Sequence, residues 1–488
     1  GNDTTGLNFA RNTTVSSDAT ITSDRLTTGP GVTHTLGTLS IGAQTLTTAR
    51  GSNASTGTGG ITFGATTLTG NATLSTGANT NLTLGAIGES GGTGFNLTKS
   101  GSGTLTLSGA NTSTGTTNIT AGTLTLGASG ALSSGNLTLA SGATLDTSAK
   151  ASGLTLGNNV TFNASGTLVG TSGQAFAMSS TGGSLVVGGS GNIGTFAVTA
   201  GNLTLAGNTT IELGASSAKD VINATTVNSQ KITLGGTLTL AASGTATAGL
   251  YTGVINQGSA AGTAFSGANN FSGLTQDASL TALGLRGQYT RNTNSVDVAL
   301  YNLASAAATQ TVNVGAYRVG ASKSGTASIT NASAVNATYT EQLATGTITP
   351  GTGATSSGSF SGVAGGSSGN ITVGLGTAST AGAKSGTVTV GLNSTAVNSS
   401  GLDNQAITSQ VITVNGAAYD TANAGYATTT KAFGNVRVGS SPAQQTVSFT
   451  NNAITNASYQ DSLDVSGSKT NSKITLGNGF NVAAGASA

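Results

Sequence analysis

The side chains that could take part in acid–base chemistry are few in this chain, and most of them are scattered. The densest charged group in the first half is Glu212, Lys219 and Asp220. A β-helical enzyme acting on polysaccharide would need clustered carboxylates and a positioned cation, so this group is the candidate catalytic cluster. No acids of this region stand two residues apart on one strand face. This spacing favours the alternative interpretation, a solvated turn without catalytic function.

Nucleophilic and metal chemistry would depend on His34, the single histidine. A Ser-His-Asp triad would have to use it, but its surroundings, Gly-Val-Thr-His-Thr-Leu, are typical of an ordinary strand. One histidine without cysteine does not make a zinc site. The calcium-binding Gly-Gly-x-Gly-x-Asp repeat is missing, and the glycine pairs at 182–183 and 188–189 do not follow a strand–helix pattern. The sequence therefore predicts no catalytic residue, no cofactor and no metal, and a protein that is not an enzyme.

Composition excludes further classes of protein. The 488 residues include 77 glycines and no cysteine, only 6% are charged, and the net charge is +2 without a basic cluster. Nucleic-acid binding needs clustered Lys and Arg, so we expect no nucleic-acid partner. We also expect no membrane span, because there is no apolar run long enough for a helix. Short alternating runs of Thr, Val and Ile favour β-structure over disorder.

A short repeat organises residues 37–240: a small residue, then Thr/Asn-Leu-Thr-Leu, then Gly. It occurs at Thr104–Leu107, Thr123–Leu126, Asn136–Leu139, Asn202–Leu205 and Thr237–Leu240. The period of 2 places the leucines on one face, and the gaps are too short for helices. The runs must therefore turn sharply and stack as a β-solenoid over residues 1–300, with glycines at its corners and asparagines able to form ladders between coils.

The end of the solenoid needs a cap, which we place at residues 251–300. Larger side chains enter the sequence there, as expected for a segment that covers the last coil. They are Phe265, Phe271, Arg286, Tyr289 and Arg291.

A longer repeat follows from residue 301. The run Gly315-Ala-Tyr-Arg-Val-Gly320 returns as Gly434-Asn-Val-Arg-Val-Gly439, and Tyr339 and Phe360 match Tyr459 and Phe480. The spacing predicts two duplicated modules, 301–420 and 421–488, with Tyr339 and Tyr459 in their cores. Seven strand candidates in the first module predict an immunoglobulin-like β-sandwich. These are Thr311–Val314, Thr326–Thr330, Thr338–Leu343, Thr345–Thr349, Asn370–Val373, Gly386–Val390 and Ala406–Val414.

The second module contains no counterparts of Gly386–Val390 and Ala406–Val414 within the sequence. A sandwich that lacks two strands exposes an unpaired edge. Two explanations stay open: the precursor continues beyond residue 488, or strand donation by a neighbouring molecule completes the 421–488 module.

Two stretches resemble known families of bacterial surface proteins. Leu97-Thr-Lys-Ser-Gly-Ser-Gly-Thr-Leu-Thr-Leu-Ser-Gly-Ala-Asn-Thr-Ser-Thr-Gly-Thr-Thr-Asn-Ile-Thr-Ala-Gly-Thr-Leu-Thr-Leu-Gly127 resembles the autotransporter-associated β-strand repeat, more loosely over residues 37–240. The resemblance implies a right-handed parallel β-helix in an exported passenger. Ser113 stands where that family has an aromatic residue.

Residues 301–488 resemble modules of the choice-of-anchor D type. The resemblance lies in Ala381-Gly-Ala-Lys-Ser-Gly-Thr-Val-Thr-Val390, Ser400-Gly-Leu402 and Gln410-Val-Ile-Thr-Val-Asn-Gly416. It implies immunoglobulin-like repeats of surface-anchored or secreted proteins.

We therefore expect an all-β structural protein located outside the cell, on a bacterial surface. The first hypothesis is a subunit of a surface filament, fibre or layer that self-associates into a polymer. The alternative is a monomeric, autotransporter-like adhesin passenger, with surface glycans and host or neighbouring cells as partners. A polysaccharide-acting β-helix is the third hypothesis, and the missing carboxylate cluster disfavours it.

Overall fold

The computed structural model describes residues 6–224, 231–257, 265, 270–397, 400–426 and 430–488. The chain divides into two units, Gly1–Tyr301 and Asn302–Ala488. Almost all regular structure is β-strand, and the strands of the first unit stack in long parallel sheets. The prediction of an all-β chain with stacked parallel strands is confirmed. The right-handedness of the coils and the boundary near residue 420 stay predictions.

The first face of unit 1 is a sheet of eleven parallel strands. Its strands, from one end of the sheet to the other, are Ala19–Ser23, Thr45–Arg50, Ala72–Thr76, Leu97–Ser100, Thr117–Ile119, Leu137–Leu139, Thr161–Ala164, Ser184–Val187, Asn208–Leu213, Thr237–Ala242 and Gly273–Gln276.

The second face has twelve strands. The first ten are parallel: Thr33–Thr35, Gly59–Thr62, Thr80–Leu84, Thr104–Leu107, Thr123–Leu126, Thr144–Asp146, Thr167–Val169, Thr195–Ala200, Val221–Ala224 and Gly249–Gln257. Ser295–Asn302 then pairs antiparallel with Gly249–Gln257, and Leu285–Arg291 lies beyond it.

The third face is divided into two four-stranded parallel sheets. The first contains Thr13–Val15, Leu39–Ile41, Thr66–Leu68 and Ile87–Glu89, and the second contains Leu154–Thr155, Ala175–Ala177, Asn202–Leu205 and Ile232–Leu234. A further parallel pair, Gly29–Pro30 with Ala54–Thr56, lies between the first and second faces.

Each complete coil has a strand in the first and second faces, and the coils before residue 90 and after residue 153 also have one in the third. The leucines of the coils point inward. Leu105 shows the pattern: it is fully buried, and its register partners in the neighbouring coils are Leu82 and Leu124. The coils are shortest near the middle, where Leu97 pairs with Thr117 and Thr117 with Leu137. Strand alternation therefore builds one continuous apolar column along unit 1, as the Leu/Thr runs predict.

At several corners of the solenoid, an asparagine side chain accepts a hydrogen bond from the backbone of the next coil. The Oδ1 atom of Asn71 accepts the backbone N–H of Asn96 at 2.9 Å, and the Oδ1 atom of Asn96 accepts that of Thr116 at 2.8 Å. Asn136 and Asn202 accept in the same way from the next coil. These bonds satisfy backbone donors where the parallel ladder is interrupted.

The predicted cap is partly described, since residues 258–264 and 266–269 lie outside the described set. The short helix Ala278–Ala282 and the two last strands of the second face cover the final coil. Phe265 and Phe271 are buried in the same apolar cluster as the coils, and the ring of Tyr289 meets Phe271 edge to face. A 3-10 turn, Ala215–Ser217, interrupts an earlier coil.

Unit 2 contains two sheets around a second apolar core. One has the strand order Thr309–Arg318, Gln405–Tyr419, Gly382–Thr395 and Gln342–Pro350, in which the first pair is parallel and the others antiparallel. The other is antiparallel and consists of Lys323–Thr330, Ser368–Leu375 and Ala354–Ser357.

Beyond residue 420 the described strands form two antiparallel pairs. Ala424–Tyr426 pairs with Phe449–Asn451, and Leu463–Val465 pairs with Phe480–Val482. A 3-10 turn, Ala457–Tyr459, lies between them in sequence.

One strand prediction for the first module is wrong in most of its length, and one strand was not predicted. Of Thr338–Leu343 only the last two residues are in a strand, Gln342–Pro350, because the Asn336 side chain accepts the N–H groups of Thr338 and Tyr339 and closes a turn there. Ala354–Ser357 is a strand that the sequence analysis missed, since its Ala-Thr-Ser-Ser sequence carries no alternating apolar signal.

Candidate functional site

The outer side of the second face carries threonines in two rows. One row contains Thr62, Thr83, Thr106 and Thr125, each in register with the next. The neighbouring row contains Thr104, Thr123, Thr144 and Thr167. All are half-buried. The eight threonines present hydroxyl and methyl groups without charge, so they offer no acid or base. The first row continues into Asp146, a half-buried acid whose Oδ1 atom accepts the backbone N–H of Ser148 at 2.9 Å.

The predicted cluster of Glu212 and Asp220 is brought together, but not as a solvated turn. Glu212 is 3% exposed and Asp220 is 0% exposed, so that interpretation is wrong for both carboxylates. Only the intervening residues 215–218 are exposed. The turn folds back because Leu213 and Lys219 form an antiparallel bridge, which places both acids beneath the surface.

Both carboxylates bind backbone N–H groups. Glu212 Oε1 accepts from Gly191 at 2.5 Å, and Asp220 Oδ1 accepts from Gly194 at 2.7 Å. Asp220 Oδ2 accepts from the backbone of Glu212 at 2.7 Å, while Glu212 Oε2 is buried without a hydrogen-bond partner. The two acids therefore hold the 188–194 loop, and Asp220 also holds the strand that carries Glu212.

Burial controls the charge of this pair. It raises the pKa of the Asp220 carboxyl to about 7, and the neighbouring Glu212 carboxylate adds to the rise. It also raises the pKa of Glu212 above its ordinary value, with a further contribution from Asp277. Desolvation disfavours the charged form of a carboxyl group, which is the physical cause in both cases.

Lys219 does not join the two acids. It is half-buried and lines a shallow groove of about 410 Å³ together with Val221, Thr252, Asn256 and Asp297. Asp297 accepts the backbone N–H of Gly253 at 2.6 Å. The groove is open and polar, and its acid is already engaged by the backbone.

His34 lies in the strand Thr33–Thr35, as its sequence context predicts, and is 7% exposed. Its Nδ1 atom accepts the backbone N–H of Leu7 at 3.1 Å, and its Nε2 atom lies 3.0 Å from the carbonyl oxygen of Asp24. Both ring nitrogens therefore have backbone partners, and the histidine connects successive coils.

Lys99 was missed by the sequence analysis. It is fully buried at an inward position whose register partners are Leu74 and Ile119. Its Nζ atom donates to the carbonyl oxygens of Ser100, Gly101 and Ala121 at 2.8, 2.7 and 3.0 Å. Burial lowers the pKa of this amine to about 8. The only sequence signal was a lysine at a position of the repeat where leucine is usual.

Tyr339 and Tyr459 are half-buried and are not core residues, so that prediction is wrong. Tyr459 ends a 3-10 turn, and its ring centroid lies 5.5 Å from that of Tyr419. Turn positions reach the surface, which explains the partial exposure of both side chains.

The described residues contain no group of three or more His, Cys, Asp or Glu side chains that could hold a metal ion. Within the same part of the chain, every helix is too short or too polar to cross a membrane.

Residues 97–126 match the family model of the passenger-associated-transport-repeat. This segment begins at the first-face strand Leu97–Ser100 and ends at the second-face strand Thr123–Leu126, so it covers one complete coil and two strands of the next. No curated protein matches the chain at the required significance.

The match supports the resemblance to autotransporter passengers over this segment. It lies in the shortest coils, where three first-face strands pair through Leu97, Thr117 and Leu137. Neither the choice-of-anchor D resemblance nor an immunoglobulin-like module receives support from a comparison.

Proposed function

We propose that this chain is a secreted or cell-surface bacterial protein of the autotransporter-passenger type, in which unit 1 acts as a stiff, non-catalytic shaft. The observation that carries the proposal is the passenger-associated-transport-repeat at residues 97–126, which coincides with a complete coil of the stack. This supports the adhesin-passenger alternative better than a filament subunit.

The stacking explains how such a shaft would be stiff without disulfides. Eleven strands spaced by about 4.8 Å form the first face, and inward leucines fill the column behind them. Each coil contacts its neighbours through a backbone ladder, so local bending would break several hydrogen bonds at once.

The non-catalytic character rests on the use of the acids. Glu212 and Asp220 are buried, and three of their four carboxylate oxygens accept backbone N–H groups. A general acid or base must come within hydrogen-bond reach of the substrate, and these groups face the protein instead.

For the first module of unit 2 we propose an immunoglobulin-like arrangement. Seven strands form two sheets around one core, and the first strand, Thr309–Arg318, pairs parallel with the last, Gln405–Tyr419. Many cell-surface domains share this sandwich architecture, so the arrangement agrees with the surface location proposed for the chain. No contact among the described residues points to polymer formation, strand donation or glycan binding.

Labelling of intact cells tests the proposal. Antibodies raised against the purified chain are applied to the native bacterium before and after permeabilisation, with an antibody against a cytosolic protein as control. We expect the chain to be labelled on intact cells and removed by external protease while the cytosolic protein is retained. Labelling that appears only after permeabilisation would refute the surface assignment.

A further inference from the structure

The loop at residues 188–194 connects the first-face strand Ser184–Val187 to the second-face strand Thr195–Ala200. Gly188, Gly189 and Gly191 have φ values of 75°, 81° and 83°, a region that L side chains rarely adopt. A loop with three such glycines has a large conformational entropy when released, so specific contacts must hold it.

Buried side chains supply several of these contacts. Gly191 N–H donates to Glu212 and Gly194 N–H donates to Asp220, while the Ser243 hydroxyl donates to the Gly191 carbonyl oxygen at 2.8 Å. Asp220 also accepts from the backbone of Glu212, so the two acids are parts of one arrangement. A change of charge on either acid would therefore act directly on the loop.

The charged and titratable groups around the pair do not neutralise it. Asp277, which caps the helix Ala278–Ala282, adds negative charge near Glu212. Lys219 is adjacent in sequence but lies in the groove with Asp297. The neighbouring strands Ser184–Val187, Thr195–Ala200 and Thr237–Ala242 carry no ionisable side chain.

One tyrosine also lies nearby, on the strand Gly249–Gln257. The Tyr251 hydroxyl lies 2.7 Å from the carbonyl oxygens of both Gly214 and Thr247, and either can accept its single proton. The proton of this hydroxyl is therefore engaged by backbone acceptors. Protonation of a carboxyl group is the direct way to relieve the repulsion between Glu212 and Asp220.

We propose that Glu212 and Asp220 form a proton-controlled latch on the 188–194 loop, closed when at least one carboxyl group is protonated and loosened when both are ionised. Two ionised carboxylates in a buried position repel each other and lose hydration, and Glu212 Oε2 has no donor to compensate. Protonation removes this repulsion and leaves the acceptors for Gly191 and Gly194 in place.

The direction of the pH effect follows from the raised pKa values of both acids. A carboxyl group whose pKa is raised in the folded protein contributes stability that is fully present below its pKa in the unfolded chain. This contribution is lost as the pH rises through the pKa of the folded state. For Asp220 the window runs from the ordinary pKa of an aspartate, 3.8, to about 7. The loop is therefore held more firmly in mildly acidic medium than in alkaline medium.

Hydrogen exchange of the full chain, read by mass spectrometry at about pH 5 and about pH 8.5 and corrected for intrinsic exchange, tests the latch. We expect protection of the 188–194 loop to fall several-fold at the higher pH. The Glu212→Gln variant keeps an acceptor for Gly191 and removes one charge, so it should reduce this fall to about half or less. The matched control is Asp146→Asn, a half-buried acid on the outer side of the second face, which should leave the fall unchanged.

Equal protection of the wild-type loop at both pH values would overturn the proposal, as would an undiminished fall in the Glu212→Gln variant. If that variant does not fold, urea unfolding of the wild type over the same pH range decides the question. A free energy of unfolding that rises or stays constant between the two pH values also contradicts the latch.

Discussion

Asn331 and Asn451 lie 120 residues apart in unit 2, and each is fully buried with its side-chain amide donating to two backbone carbonyl oxygens. Asn331 Nδ2 donates to Glu341 and Val363 at 3.0 and 3.1 Å. Asn451 Nδ2 donates to Asp461 and Val482 at 2.8 and 3.2 Å. The duplication seen in the sequence therefore extends to a conserved internal hydrogen-bond arrangement, which the surface motif Gly-x-x-Arg-Val-Gly does not reveal.

The Asn331→Ala substitution should strongly destabilise the first module. It removes the side-chain donor of the Glu341 carbonyl oxygen, whereas the Val363 carbonyl oxygen keeps the backbone N–H of Leu343. It also removes the Oδ1 acceptor of the Ser305 and Ser333 N–H groups, and an unsatisfied buried group costs about 1–3 kcal/mol. We expect the free energy of unfolding of the full chain to fall by about 2–5 kcal/mol. Urea titration followed by circular dichroism measures this change.

The matched control is Asn370→Ala, an exposed asparagine in the strand Ser368–Leu375. It should change the free energy of unfolding by less than about 0.5 kcal/mol. Equal effects of the two substitutions would show that the buried amide is not the stabilising element of the module.

Lys99 should make the stability of unit 1 increase in alkaline medium. Its pKa is lowered from 10.5 to about 8, so between these values the unfolded chain binds more protons than the folded chain. The free energy of unfolding should therefore rise over this range, by at most about 1.4 kcal/mol per pH unit. Urea unfolding at several pH values measures the slope, and the Lys99→Met variant should lack it.

Lys150 provides the matched comparison for Lys99. Its Nζ atom also donates to carbonyl oxygens of a neighbouring corner, those of Ala128 and Gly130, but the residue is half-buried. The Lys150→Met variant should keep the alkaline rise. A rise that survives in Lys99→Met would assign the effect to another group.

Much of the fold could be predicted because its signal is local. The Leu/Thr alternation in runs such as Thr104–Leu107 and Thr123–Leu126 determines which side chains point inward, and the short gaps exclude helices. The division of the third face into two sheets could not be predicted, since it depends on coil length between residues 89 and 154. The turn at Asn336 was missed because a side-chain–backbone bond overrides strand propensity there.

The candidate site was predicted only in part. Sequence spacing identified Glu212 and Asp220 as a group, but their burial depends on the bridge between Leu213 and Lys219, which no local pattern indicates. Lys99 was missed because a lysine within a strand usually faces solvent. The carbonyl oxygens that bind it come from two successive coils, so only the three-dimensional stacking shows that the position accepts a cation.

Leu105→Ala should show how strongly neighbouring coils depend on each other. Leu105 is fully buried between Leu82 and Leu124, and truncation of such a side chain typically costs about 2–5 kcal/mol. We expect a fall of this size in the free energy of unfolding of unit 1, measured by urea titration. Thr106→Ala, on the outer side of the same strand, is the control and should cost less than about 1 kcal/mol. A small effect of Leu105→Ala would contradict a tightly packed column.

Gly122 and Gly142 separate two reasons for glycine at the corners of the solenoid. Both have positive φ, 66° and 79°, so alanine should cost about 1–2 kcal/mol at either position through backbone strain alone. A Cβ atom on Gly142 would meet nothing within 4 Å, whereas on Gly122 it would lie 2.4 Å from the carbonyl oxygen of Gly101 and 2.9 Å from Nζ of Lys99. Gly122→Ala must therefore also push two coils apart and disturb the buried amine of Lys99. We expect it to lower the free energy of unfolding of unit 1 by at least about 2 kcal/mol more than Gly142→Ala does. Thermal or urea unfolding measures the difference. Equal losses for the two variants would mean that the corners are held by backbone conformation alone and that the coils are not in close contact there.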